Sequence, residues 1–191
     1  MWDLAGLSPF INCQIPRMFT FFTTIYEPYV NSLPFVFILN FKQQITDEEC
    51  KQILIEEPRG ILSMIGDDGY PYGIPLSHWY CEEEGKIYFH GAKEGHKIDS
   101  IAKCDKVSFC VYDKGYKKEG DWALNIKSVV IFGRIRLVTD TEKAKEICTN
   151  ICRKFTDDEE YIQKELNNAL PRVQCLELIP EHMTGKLVNE S

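Results

Sequence analysis

The sequence predicts a mainly β protein, a mostly antiparallel sheet curled into a closed or split barrel with helices at its periphery. Three observations point there. Apolar runs are joined by tight turns such as Asp67-Asp68-Gly69 and Glu82-Glu83-Glu84-Gly85, so neighbouring strands form hairpins. A long β-rich segment, residues 122–138, carries Gly133 in its middle, the mark of a bulge or a close backbone approach. Finally, Ile87, Phe89, Val107, Phe109, Val111, Val129 and Ile131 recur at strand alternation and can fill a small barrel with their own side chains.

Residues 1–41 stand apart. They hold seven of the eleven Phe but only three charged residues, Asp3, Arg17 and Glu27. Their longest uncharged run, residues 28–41, is too short to span a bilayer and contains Pro28, Asn31 and Pro34. No basic start or small-residue cleavage site marks a signal peptide. Three readings are open: an extension packed on the domain or its partner, a peripheral membrane contact, or an over-extended start. The abrupt change in composition favours the last. The expected division is residues 1–41, an N-terminal extension outside the barrel, and residues 42–191, the barrel domain.

Thr46-x-x-Glu49 is a capping box that opens a helix with Cys50, Ile53 and Leu54 on one face. Glu57-Pro58-Arg59-Gly60 stops it. Residues 60–65 form a strand and residues 70–81 its return, interrupted by Pro71 and Pro75. Pro75 cannot donate to a ladder, so it marks an edge or bulge where backbone groups stay free for a ligand. Residues 87–90 are a short strand, and residues 106–111 another. After a polar loop, residues 114–121, comes the long segment with Gly133. Thr139-x-x-Glu142 caps the next helix, whose stripe is Ala144, Ile147, Cys148, Ile151, Cys152 and Phe155. Asp157 and Asp158 open a further helix through Ile162, Leu166 and Ala169, ended by Pro171. Residues 173–179 are a last strand, followed by Pro180 and a short tail with Gly185-Lys186.

The totals exclude several classes. The 191 residues suit one domain with a real core. A net charge of −7 argues against a nucleic-acid binder, although one basic pocket is still allowed. Eight irregularly spaced cysteines read as reduced thiols of a cytoplasmic protein, not as a disulfide scaffold. Cys148 and Cys152 lie four apart beside apolar residues, which suits burial. Neither Cys-x-x-Cys nor His-Glu-x-x-His occurs, so no metal site is expected.

The richest stretch is residues 85–111. A strand feeds the glycine-bracketed turn Gly91-Ala92-Lys93-Glu94-Gly95, which opens a helix with His96 and Lys97 in its first turn and Ile98, Ile101 and Ala102 on its inner face. Free N–H groups at a helix start favour an anion, and a cation there suits the dipole only when an anion is bound. The stretch reads as a phosphate seat, with His90 at the strand end facing what the phosphate carries. It reads equally as a solvated basic helix end, given Lys93 and Lys103.

Four motifs in order then carry a resemblance: Asp68-Gly69-Tyr70-Pro71-Tyr72-Gly73-Ile74-Pro75-Leu76, Tyr88-Phe89-His90-Gly91-Ala92-x-x-Gly95-His96-Lys97, Ser128-Val129-Val130-Ile131-Phe132-Gly133 and Thr184-Gly185-Lys186. From Thr46 onward the chain resembles the pyridoxamine 5'-phosphate oxidase-like split barrels that bind FMN, and within them the 5-nitroimidazole reductase (nitroimidazole-resistance) group. The resemblance implies a six-stranded, mostly antiparallel split β-barrel of the FMN-binding type, and a homodimer with FMN between the subunits. It places Ile74, Pro75 and Leu76 along the flavin ring, His90 near the reactive face, Lys97 on the phosphate with Gly91 and His96 beside it, and Ser128 and Val129 on a flanking strand. Members often carry Arg where this chain has Lys97, a point charge instead of a fork.

Single residues have bland readings too. His90 is either a satisfied strand histidine or a donor beside the ring, and its place before the glycine turn favours the donor. His78 suits the same cleft or a half-buried strand position; His182 suits the surface. Trp122, after the glycine loop, has more chance than Trp79 of reaching a partner's flavin, and Glu82-Glu83-Glu84 reads as a solvated turn. The function implied is an FMN-dependent oxidoreductase reducing small electrophiles such as nitroaromatics, with a small-molecule substrate and a reduced nicotinamide donor, and with neither nucleic acid nor membrane as partner. The alternatives are a flavin-binding or flavin-storage protein and, less favoured for want of a second phosphate cluster, an oxidase of a phosphorylated pyridine.

Overall fold

In the computed structural model the described residues are 43–67 and 69–190. The expected N-terminal extension, residues 1–41, lies outside them. In chain order the elements are α1 (Asp47–Glu56), β1 (Arg59–Ile65), β2 (Pro71–Cys81), β3 (Lys86–Ala92), α2 (His96–Lys103), β4 (Lys106–Tyr112), β5 (Tyr116–Lys117), β6 (Leu124–Leu137), α3 (Thr141–Arg153), α4 (Glu159–Ala169) and β7 (Val173–Asn189). The sheet runs β4-β1-β2-β3-β7-β6-β5, and an additional β4–β6 pairing joins the two sides. All pairs are antiparallel. Six strands thus close a ring, with the two-residue β5 added beside β6: the split β-barrel that the sequence predicts.

The capping box at Thr46 forms in full, Thr46 Oγ1 accepting from the Glu49 amide at 3.2 Å and Glu49 Oε2 from the Thr46 amide at 2.9 Å. Strand alternation turns Leu62, Ile87, Phe89, Phe109, Val111, Val129 and Ile131 inward, all 0 % exposed. Phe109 sits edge-on to Phe89 at 4.9 Å and to His78 at 5.0 Å, which fills the barrel centre. A second, smaller core lies outside the ring, where Ile147, Cys148 and Ile151 of α3 and Ile162 and Leu166 of α4 cover Cys81, Tyr88 and Cys175.

Two sequence expectations are corrected. The cap of α3 is Asp140, whose carboxylate accepts from the Glu142 and Lys143 amides, and not Thr139; a carboxylate one residue later reaches the same amides. The last strand does not stop at Ile179. It runs from Val173 to Asn189, because the ladder with β6 resumes beyond Pro180 after a register shift between Phe132 and Gly133. The expected bulge at Gly133 is real: a Cβ there would lie 2.2 Å from the Ile179 carbonyl oxygen.

His78 is 0 % exposed. Its Nε2 donates to the Leu54 carbonyl at 2.9 Å, at the end of α1. Lys154 Nζ bonds the Leu54 and Glu57 carbonyls, each at 2.8 Å, so α3 and β2 both hold that helix end. Burial first, and the Lys154 charge second, lower the His78 pKa from 6.5 to about 3.

Two outcomes follow from this packing. Gly133→Ala should cost about 1–3 kcal/mol, since backbone must yield to the new methyl; urea unfolding measures it. Because the unfolded chain takes up a proton on His78 below pH 6.5 and the folded chain resists it down to about pH 3, stability should fall with acidity across that window. Urea midpoints at pH 7 and pH 4.5, for wild type and His78→Leu, test this: only the wild type carries the histidine's share of the slope.

Candidate functional site

Strands β2 and β3 are hydrogen-bonded over four pairs only, from His78 with Phe89 to Cys81 with Lys86. Beyond them the strands part. Residues 71–77 of β2 pair with β1 alone, and residues 90–92 of β3 with β7 alone. The barrel is split here, and the free edge of β2 is where Pro71 and Pro75, which lack an N–H, are tolerated. Ile74 and Leu76 on this segment pack toward the core, whereas Pro75 is exposed.

Helix α2 starts beside the gap. The rings of Tyr72 and His96 meet edge-on at 4.6 Å, which ties the helix start to the free segment of β2. Asp67, in the β1–β2 turn, bonds Lys103 at 2.7 Å and approaches His96 at 3.8 Å. Gly95 has φ 119°, a value that favours glycine, and no side chain caps the helix.

Lys97 returns from the first turn of α2 to β3. A Cβ on Gly91 would lie 2.0 Å from its ammonium nitrogen, so the bare glycine is what admits that nitrogen. Half-buried Lys97 is pushed below the usual lysine pKa by burial. Among the described residues no carboxylate pairs with it, and an ammonium beside an uncapped helix start is an arrangement that can take an anion.

His90 is partly buried. Its Nδ1 is shielded from solvent and has no hydrogen-bond partner among the described residues. Burial, then the charge of Lys97, holds its pKa below the ordinary histidine value, so the ring is neutral at neutral pH. Strand alternation places His90 on the face of Tyr88 and opposite Cys175, while Gly91 lies on the face of Phe89. The two residues thus share a strand end and not a face.

The remaining expected residues lie elsewhere in this chain. Val129 is 0 % exposed inside the barrel, and Ser128 and Val129 are paired on both sides, to β4 and β7. Strand β6 stands across the ring from β2. Trp122 is 73 % exposed on the loop before β6. Glu84 is no plain solvated residue: it pairs with Lys86 and Lys143 and accepts from Tyr88 Oη, which lowers its carboxyl to about 2. Sequence reasoning gave no role to Tyr72, which lies within the first quoted motif, or to Asp67, which immediately precedes it. Nothing in the sequence linked Lys154 to His78.

Among solved structures, a candidate 5-nitroimidazole antibiotic resistance protein from Bacteroides thetaiotaomicron is 19% identical, with 76% of this chain and 87% of that chain covered and a TM-score of 0.64. An FAD-binding protein from Mesorhizobium loti is 22% identical, covering 76% and 97%, with a TM-score of 0.54. An FAD- and heme-binding protein from Mycobacterium smegmatis is 15% identical, covering 76% and 73%, with a TM-score of 0.60. At these identities the likeness is one of fold. No curated protein matches the sequence. The family model for pyridoxamine 5'-phosphate oxidase matches residues 46–187, a span from the cap of α1 to near the end of β7 that takes in the whole ring and its split. By that match the chain belongs to the pyridoxamine 5'-phosphate oxidase family.

Proposed function

We propose that the protein is an FMN-dependent oxidoreductase that reduces small electrophiles such as nitroaromatics, with a reduced nicotinamide as donor. The observation that carries this reading is the half-buried Lys97, without an ion-pair partner among the described residues, seated over Gly91 at an uncapped helix start. A terminal phosphate is an anion that suits such a place. Free backbone along residues 71–77 suits the polar edge of a flavin ring, and the inward Ile74 and Leu76 stiffen that edge. FAD-binding proteins of the same fold support a flavin as the cofactor.

FMN, when bound, supplies hydride and electron transfer. The chain does the rest. Lys97 and the α2 amides hold the phosphate, and Asp67 steadies α2 through Lys103 and His96. His90, at the same strand end as Gly91, is the residue assigned to donate a hydrogen bond to negative charge growing on a nitro oxygen; since its Nδ1 is shielded, the donor is Nε2. Burial of the ring calls for a second copy of the chain. Ile74 to Leu76 and Ser128 to Val129 lie across the ring from each other, so one chain does not offer both to one flavin. The outer row Pro75, Ile61, Cys110, Val130 and Thr184 runs unbroken over five strands, with Ile61 38 % and Tyr112 60 % exposed on that side. A two-fold dimer through this face covers apolar surface and brings β2 of one protomer toward β6 of its partner. Trp122 stands out far enough to reach that partner. Reduced thiols at all seven described cysteines suit the cytoplasm.

Lys97→Ala should weaken FMN binding about tenfold or more, as one charge-assisted contact is lost, while unfolding stays near wild type. Fluorescence titration of apoprotein measures this, and unchanged affinity removes Lys97 from the phosphate. His90→Ala should keep its FMN and slow nitroaromatic turnover roughly tenfold or more. Loss of FMN from a folded His90→Ala protein makes the residue a binding group instead. FMN binding without any nitroaromatic turnover in the wild type leaves a flavin-binding protein and ends the reductase reading.

A further inference from the structure

Four cysteines from three elements, Cys81, Cys148, Cys152 and Cys175, meet in the small core under α3 and α4. Cys148 and Cys175 are the closest of them. Their sulfurs are 3.7 Å apart, on a helix and a strand 27 positions apart in sequence. A disulfide bond is about 2.05 Å long, so these sulfurs already touch and must close by only about 1.7 Å. The neighbours keep them there. Cys175 Sγ also reaches the Ala144 carbonyl at 3.7 Å, one turn before Cys148 on α3, and its strand position is fixed by pairing with His90. Cys148 is 7 % exposed and Cys175 1 %.

The pair is chemically unequal. The contact with Cys175 lowers the Cys148 pKa, and the same contact together with burial raises the Cys175 thiol, whose proton also has the Ala144 carbonyl as an acceptor. Cys148 therefore ionises first and Cys175 keeps its proton. Cys152 shares α3 with Cys148, so a bond between those two would tie the helix only to itself.

We propose that Cys148 and Cys175 form a reversible intramolecular disulfide when the protein meets a small two-electron oxidant such as hydrogen peroxide. The Cys148 thiolate attacks one peroxide oxygen. The O–O bond breaks, and the departing hydroxide takes up the proton that Cys148 released, giving water and a sulfenic acid on Cys148. The Cys175 sulfur then attacks the Cys148 sulfur. The S–O bond breaks as the S–S bond forms, and the Cys175 proton leaves with the hydroxide as a second water. Two thiols lose two electrons and two protons, and one peroxide becomes two waters. The bridge closes a loop containing all of α4 and ties α3 to the strand position opposite His90.

The test uses the full chain, reduced and then treated with a small excess of hydrogen peroxide. Intact mass should fall by about 2 Da, and non-reduced peptide mapping should find the Cys148 and Cys175 peptides joined. Dithiothreitol should restore both. The oxidised protein should melt about 5 °C or more above the reduced one, because the unfolded chain is looped. Cys148→Ser and Cys175→Ser should abolish the mass loss, whereas Cys152→Ser should keep it. Mass gains of about 16 or 32 Da without a joined peptide overturn the proposal, as does a bridge that uses Cys152. Mapping of the wild type decides the matter even where a serine variant fails to fold.

Discussion

Strands β2 and β3 stay hydrogen-bonded for only four residue pairs, and the parting beyond that point organises the molecule. A complete ladder between them would leave no edge in the ring and no place for α2. The ring stays closed elsewhere because β7 continues through Pro180 and holds β6 along nearly its whole length, while β4 bridges β1 and β6. Closure on one side thus permits an opening on the other. The bare Gly133 allows the Ile179 carbonyl to come close at the bend, and the bend lets β7 serve both β3 and the far end of β6.

Several unmet polar groups lie near the opening. Among the described residues, a half-buried ammonium without a carboxylate, an uncapped helix start and a shielded imidazole nitrogen without a partner each cost folding free energy in the isolated chain, as His78 Nδ1 does in the barrel centre. The first three gather around residues 90–97, while ion pairs elsewhere, as around Glu84 and Glu177, are well matched. The proposed FMN would answer the first two through its phosphate.

Much of this was legible in the residues. The box Thr46-x-x-Glu49, the alternation of Val107, Phe109 and Val111, and the bulge at Gly133 are local chemistry, and local chemistry survives into the fold. The strand–turn–helix around Gly91 and Lys97 was legible for the same reason. Long-range features were not. Residues 180–189 read as a tail, because Pro180 looks like a stop until the ladder of β6 is there to carry the strand past it. Lys154 and His78 meet because Lys154, just past α3, reaches the same Leu54 carbonyl at the end of α1 that His78 approaches. The cysteine stripe on α3 announced burial but could not announce Cys175, which arrives from another element. The sequence ended this strand at His90; β3 in fact continues to Ala92, so alternation puts His90 and Gly91 on opposite faces.

FMN at the split edge can be tested by titrating FMN into apoprotein, followed by absorption and by sedimentation. A perturbed flavin spectrum, saturation at one FMN per chain, and a dimer as the species that binds are expected. A protein that leaves the flavin spectrum unchanged at saturating FMN, or a monomer that binds at full stoichiometry, would contradict it.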